Sequence, residues 1–376
     1  MDLLHERYSR QVSLAELGIA GQQKLLQARV LVVGAGGLGA AALQYLAAAG
    51  VGHLGIVDDD SVALHNLHRQ PLYSMADIGA PKANTARSRL QALNPGINII
   101  AFNERLTVAN ALQIISTYDI VIDGTDNFAT RYLINDACVL LQKPLVYAAV
   151  SKYEGQVSVF NVPKEGMAVN YRDLFPQPPA PGEVANCAET GVLGVLPGIM
   201  GVMQAAEAIK LITGIGEPLV NRLFTYNVLN NQVFEWKLQA RQGTADLIPA
   251  TAAAFEKTDY QWLCGMASME REIDSNRFDQ LAGQESTIII DVREPGEEPL
   301  VDEFAHEKIP LGRLSEQAGS IRAENILVFC QSGKRSLQAA RLLAEQLGDA
   351  TKIYSLAGGI VQWKKAREHK KQASAQ

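Results

Sequence analysis

The sequence predicts an α/β protein, a doubly wound and largely parallel sheet covered by helices, followed by a second and smaller α/β unit. Three observations carry this. Residues 29–60, RVLVVGAGGLGAAALQYLAAAGVGHLGIVDDD, read as strand, glycine turn, helix and a second strand ending in acids. Apolar strands then alternate with helical patterns as far as residue 149, the arrangement of a parallel sheet with both faces covered. Two more buried-strand patterns, 288–292 and 326–329, recur in the last hundred residues. A chain of 376 residues exceeds one compact core, so two domains are expected.

Composition narrows the function. The hydrophobic share of 47% is that of a globular protein, and no apolar run reads as a membrane span. With a net charge of −6 and no long basic run, nucleic acid is not an expected partner. Cys138, Cys187, Cys264 and Cys330 are too widely spaced for a disulfide scaffold or a C-x-x-C zinc site, and MDLLHERYSR lacks a signal core. A cytoplasmic protein is expected.

Residues 5–28 read as an arm and a short amphipathic helix, in which Arg7 and Arg10 by themselves are simply solvated. Gly34, Gly36 and Gly39 then give G-x-G-x-x-G spacing after strand 30–33, with Gly37 inside the turn. Such glycines let backbone N–H groups approach a phosphate at a helix N-terminus. Asp58 stands near the distance expected of a ribose-binding acid, so a nucleotide is the expected ligand. The segment after Asp58 differs from a hydride-transfer site: Asn66, Arg69 and Gln70 in SVALHNLHRQ and Lys82 in GAPKANTARSRL add cations for which hydride transfer has no use.

The pattern continues as helix 81–93, strand 97–102, helix 109–116, strand 119–123, helix 128–142 and strand 145–149. Asp123 and Asp126 fall at the carboxyl end of a strand, where doubly wound sheets bind ligands. Asp126 can hold Mg²⁺ beside phosphates or cap the next helix, and the two roles are compatible. Strands 156–161, 222–228 and 232–238 have period two and extend the sheet antiparallel. Between them a proline-rich stretch leads to Cys187 on a loop, where it is either an accessible nucleophile or unremarkable, and then to an apolar helix 196–212. Gly198 and Gly201 in that helix suit close packing, and Cys138 reads as a buried apolar residue.

Residues 1–238 thus form the expected first domain, 239–269 a linker, 270–368 the second domain and 369–376 a tail. Cys330 opens the loop CQSGKRS at a strand-to-helix turn, before a helix 337–347. There successive N–H groups and the helix dipole can face an anionic sulfur, with Lys334 and Arg335 adding positive charge. The alternative is a buried cysteine at a strand end.

The motifs RYSRQ, GAGGLG, NLHRQ, GAPK, DGTDN and NCAETGVLG together resemble the adenylyltransferases that activate ubiquitin-like sulfur carriers, the MoeB and ThiF group related to ubiquitin-activating enzymes. DVREP, CQSGKRS and LAGGIVQWK resemble a rhodanese domain, here shortened. The resemblance implies a Rossmann-like sheet of the ubiquitin-activating type plus a rhodanese-like domain. It also implies that ATP and the C-terminal glycine carboxylate of a carrier give an acyl-adenylate and pyrophosphate. By motif, Gly37 and its neighbours lie on the phosphates, Asp58 on the ribose, Asn66, Arg69 and Lys82 on the triphosphate, and Asp126 with Mg²⁺. Arg10 matches an arginine that reaches into the other subunit's site, which implies a homodimer. Cys187 matches a position that forms a thioester or acyl disulfide in some relatives, and Cys330 matches the rhodanese persulfide cysteine, loaded by a cysteine desulfurase or similar donor. The favoured carrier is the molybdopterin-synthase small subunit, with the thiamine-pathway carrier as the alternative.

Two departures stand out. Most relatives hold a structural zinc on two C-x-x-C pairs, but here the first pair is replaced by Asn170 and Asp173 and no cysteine comes after Lys237 within that domain, so no zinc is expected. Local packing or dimer contacts are expected to substitute. The rhodanese region is short between Arg293 and Ile326, with EKIPLGRL where a PGAxNIP segment would stand. An NAD-dependent oxidoreductase would explain GAGGLG and Asp58 but not Arg69, Lys82, Asp126 or the second unit. A non-catalytic scaffold binding a ubiquitin-like protein would need no intact cationic set.

Overall fold

The computed structural model describes residues 3–164, 166, 168–178, 191–260, 272–284, 286–347 and 351–373. The chain divides into two compact units, Met1–Tyr260 and Gln261–Gln376, so residues 239–260 belong with the first unit.

In the first unit α1 (Leu3–Val12) and α2 (Gly18–Gln27) precede β1 (Arg29–Val33), so the expected arm is itself helical. Next come α3 (Gly37–Ala49), β2 (His53–Val57), α4 (Lys82–Leu93), β3 (Asn98–Phe102), α5 (Ala111–Ser116), β4 (Ile120–Asp123) and α6 (Phe128–Leu140). The unit continues with β5 (Leu145–Ser151), β6 (Glu154–Phe160), α7 (Tyr171–Leu174), α8 (Val195–Thr213), β7 (Arg222–Asn227), β8 (Gln232–Lys237) and α9 (Ala252–Glu256). The helical turn α7 opens a stretch whose prolines predict irregular backbone; Asn170 caps it by accepting from Arg172 N–H.

The eight strands lie in the order β3-β2-β1-β4-β5-β6-β7-β8. The first five are parallel and β6 to β8 are antiparallel, as the change of period predicts. Because β1 is buried on both faces, it has no polar alternation: Val30 and Val32 join the apolar cluster with α3 and α8, while Leu31 and Val33 are buried opposite. Strand order reverses between β1 and β4, which opens a crevice at their carboxyl ends.

Helix α8 corrects one expectation from composition. Its 19 residues, with a mean hydropathy of 1.4, are long and apolar enough to cross a membrane. The apolarity serves burial instead, since α8 packs on α3, β5 and β6 with Leu196, Met200, Ala205 and Ala208 inside. Gly201 is the close-packing glycine, for a Cβ there would sit 2.2 Å from Leu38 O. Gly198 has open space around it and is not one.

The second unit holds β9 (Glu272–Ile273), α10 (Ser275–Ala282), β10 (Thr287–Asp291), β11 (Glu307–Lys308), α11 (Leu311–Gln317), β12 (Asn325–Phe329), α12 (Lys334–Leu347), β13 (Lys352–Leu356) and α13 (Gly359–Ala373). Its parallel sheet runs β11-β10-β12-β13-β9, with separate apolar clusters on its two faces. Helix α12 starts three residues before the expected 337, directly after Gly333.

Candidate functional site

The crevice between β1 and β4 is lined by glycine backbone. Gly34 has φ +89°, a conformation suited to glycine, and a Cβ on it would lie 2.8 Å from Gly124 O. Gly39 is obligatory, because a Cβ there would fall 1.8 Å from Gly34 O. Gly36 is the N-cap of α3 with no side-chain cap, and a Cβ on Gly37 would meet Pro197 of α8 at 2.8 Å. Uncapped N–H groups at a helix start form an anion-binding end.

Asp58 comes directly after β2 and reaches this turn: its Oδ2 accepts from Ala35 N–H at 2.7 Å and its Oδ1 from Asp60 N–H at 2.9 Å. Burial pushes its carboxyl above the usual range, opposed chiefly by Lys82. The hydroxyl of buried Tyr73 donates to Ala35 O at 2.9 Å, so residue 35 is gripped through both its N–H and its carbonyl. Sequence reasoning misses Tyr73 as a site residue, since nothing in its spacing marks it.

The cationic set divides by burial. Lys82 opens α4, is 5% exposed and places Nζ 2.8 Å from Asp60 Oδ2. Arg69 is half-buried and donates to His65 O at 2.9 Å. Asn66 is buried, with Oδ1 accepting from Ala63 N–H at 3.3 Å. Asp60 as the partner of Lys82 is legible in the sequence only as one more acid in the run DDD.

Asp126 is exposed on the loop after β4. The cap of α6 is Asn127, whose Oδ1 accepts from Thr130 N–H at 2.9 Å, so the capping role considered for Asp126 falls to its neighbour. Beneath the loop Asp123 is wholly buried; burial pushes its carboxyl up and Arg131 opposes this. Arg131 donates to Asp123 Oδ2 at 3.3 Å and to Thr125 O at 3.0 Å, while Gln204 of α8 donates to Asp123 O at 2.7 Å. These contacts fix the backbone that presents Asp126.

Arg10 is exposed in the last turn of α1. Cys187 and Cys264 lie outside the described residues. Cys138 is fully buried and burial pushes its thiol up, in keeping with an inert apolar role.

In the second unit Cys330 stands directly after β12 and is 1% exposed. Gly333, at φ +92°, turns its N–H to the Cys330 sulfur at 3.2 Å. A Cβ on Gly359 would lie 2.6 Å from Cys330 O. Both terminal nitrogens of Arg335 bind Glu297 at 2.5 Å, and this pairing holds the Glu297 carboxyl down at about 2; the guanidinium also interacts electrostatically with the Cys330 sulfur, so its charge is shared between the two. The side chain of Lys334 is outside the described residues.

Where the resemblance places the first zinc-binding pair of most relatives, positions 170 and 173 carry an amide and a carboxylate that bond each other, a donor set unlike a pair of thiolates.

Comparison with known proteins agrees with this architecture. Residues 8–246 match the model of the ThiF family and residues 274–366 that of the rhodanese-like domain. The chain is 42% identical over 372 residues to the probable adenylyltransferase/sulfurtransferase MoeZ of Mycobacterium tuberculosis, covering 96% of this chain and 92% of that one. It is 49% identical over 263 residues to the sulfur carrier protein adenylyltransferase of Thermus thermophilus, covering 69% and 97%. With the adenylyltransferase and sulfurtransferase MOCS3 of Drosophila virilis the identity is 36% over 376 residues, covering 95% and 82%. Among solved structures, E. coli MccB with ATP shares the fold at a TM-score of 0.55 and 21% identity, covering 63% of this chain and 73% of that one. With its first unit and more than half its length matched to one family, the chain belongs to the ThiF family and carries a rhodanese-like domain after it.

Proposed function

We propose that this chain uses ATP to adenylate the C-terminal glycine carboxylate of a ubiquitin-like sulfur carrier, and that its rhodanese-like domain supplies sulfur toward a thiocarboxylate. The observation that carries the reading is the convergence on one crevice of a glycine turn, Asp58 and the loop of Asp126. Lys82, held by Asp60 from the β2 side, adds a buried cation. Attack of an anionic carboxylate on an α-phosphate needs charge neutralisation and in-line placement more than a base. The carboxylate oxygen forms a bond to the α-phosphorus as the α–β bridge breaks, and pyrophosphate leaves with that electron pair.

The N–H groups of the turn, with Lys82, Arg69 and Asn66, take the phosphates, and Asp58 takes the ribose through acceptor capacity not used on Ala35 and Asp60. Asp126, exposed and without a cap to make, suits Mg²⁺, which would neutralise phosphate charge there. Arg10 completes the site of the other subunit in a homodimer. Cys187 is the proposed covalent position for the carrier, and Cys330 the persulfide cysteine, loaded by a cysteine desulfurase or similar donor in the cytoplasm. The outer persulfide sulfur displaces AMP from the acyl-adenylate to give an acyl disulfide, and a thiol then attacks the Cys330 sulfur, releasing the thiocarboxylate and leaving a disulfide. The favoured carrier is the molybdopterin-synthase small subunit, with the thiamine-pathway carrier as the alternative; the names of the relatives support the general activity without choosing between the two.

The test is ATP–pyrophosphate exchange with each carrier supplied separately. Exchange with one carrier alone names the pathway, and Asp126→Ala should abolish it. No exchange with any carrier sinks the adenylation reading.

A further inference from the structure

The resemblance implies a structural zinc on two C-x-x-C pairs, and this chain carries Asn170 and Asp173 in place of the first pair. We infer that Asn170, Asp173, Arg241 and Thr244 form a metal-free clamp that takes over the cross-link of a tetrathiolate zinc. The positions form two pairs of equal spacing, Asn170-Tyr-Arg-Asp173 and Arg241-Gln-Gly-Thr244, and one carboxylate joins them. Asp173 Oδ1 accepts from Arg241 N–H at 2.9 Å and from the Thr244 hydroxyl at 2.5 Å, across 68 and 71 residues of chain. Asp173 Oδ2 accepts from the backbone N–H and the side-chain amide of Asn170, at 2.9 and 2.8 Å. Both oxygens are therefore saturated, and the carboxylate is 4% exposed with Thr244 at 5%.

This donor set excludes zinc by its chemistry. A guanidinium has no lone pair to give, and an amide and a hydroxyl are weak neutral ligands. The one anion is already committed to four donors.

A second centre backs the first. Arg172, between the members of the first pair, donates from Nε and Nη2 to Asp136 of α6 at 2.8 and 2.7 Å. The Tyr260 hydroxyl donates to Asp136 Oδ2 at 2.8 Å, and Arg172, Asp136 and Tyr260 are each 3% exposed or less. Helix α7 is thus tied to the segment after β8 twice, directly through Asp173 and indirectly through Asp136. Neither charge is left without a partner, which is the condition for burying them.

The test uses the full chain. Purified from zinc-supplemented medium without chelator, it should carry far less than one zinc per chain by mass spectrometry, and EDTA should not shift the melting of the first unit. Thr244→Val keeps the shape and removes one hydroxyl, and should lower that melting temperature by about 3–8 °C. Joint replacement by Asn170→Cys, Asp173→Cys, Arg241→Cys and Thr244→Cys should create a site for one cobalt(II) with thiolate charge-transfer absorption, because the side chains of Asn170 and Thr244 and the backbone of Arg241 already meet at the Asp173 carboxylate. One zinc per wild-type chain, a Thr244→Val melt that overlays the wild type, or a four-cysteine chain that takes up no cobalt would each overturn the clamp.

Discussion

Arg335 illustrates how a residue's neighbours decide its role. A cation close to Cys330 in sequence reads as support for an anionic sulfur; its guanidinium does feel that sulfur, but it is held in a bidentate pair with Glu297. The carboxyl of Glu297 is lowered to about 2 from an ordinary 4.5. A depressed carboxyl contributes stability above its unfolded value and loses it as pH falls through the folded one. The difference in melting temperature between wild type and Glu297→Gln should therefore be flat above pH 5 and shrink as pH falls from about 4.5 toward 2. Thermal melts across that range check it, and a difference that grows on acidification would refute the pairing. The sequence does not single out Glu297, because it lies in an acid-rich stretch that does not say which carboxylate meets Arg335. Gly34, Gly39 and Asp58 are readable, since their spacing from a buried strand encodes close backbone approach.

Elements show the same division. The βα repeats are readable because each strand is apolar throughout and each helix periodic, and the switch to antiparallel pairing goes with period two. The short elements are not: α7 has four residues, and its stability comes from Asn135, Asp136 and Asp173 rather than from its own periodicity. Helix α8 separates two glycines that look alike in the sequence. Gly201→Ala should destabilise the first unit by about 1–3 kcal/mol, since its Cβ would strike the Leu38 carbonyl. Gly198→Ala should be neutral or stabilise by about 0.5–1 kcal/mol, because the space is open and alanine favours helix. Urea unfolding of the two variants distinguishes them, and equal effects would contradict the α3–α8 approach.

The whole molecule is two units with separate apolar cores. Adenylation and sulfur delivery then rest on different cores, so Cys330→Ala should leave pyrophosphate exchange within about twofold of wild type while abolishing thiocarboxylate formation in a single turnover. Retained thiocarboxylate would separate the rhodanese cysteine from the reaction. The clamp has a further consequence for how the chain is made. Its last partner, Tyr260, is also the last residue of the first unit. On the ribosome the clamp can close only when that residue has emerged, and domains generally fold as units in the order they are made. A chain released early, after residue 260, should therefore already close the clamp and bind ATP.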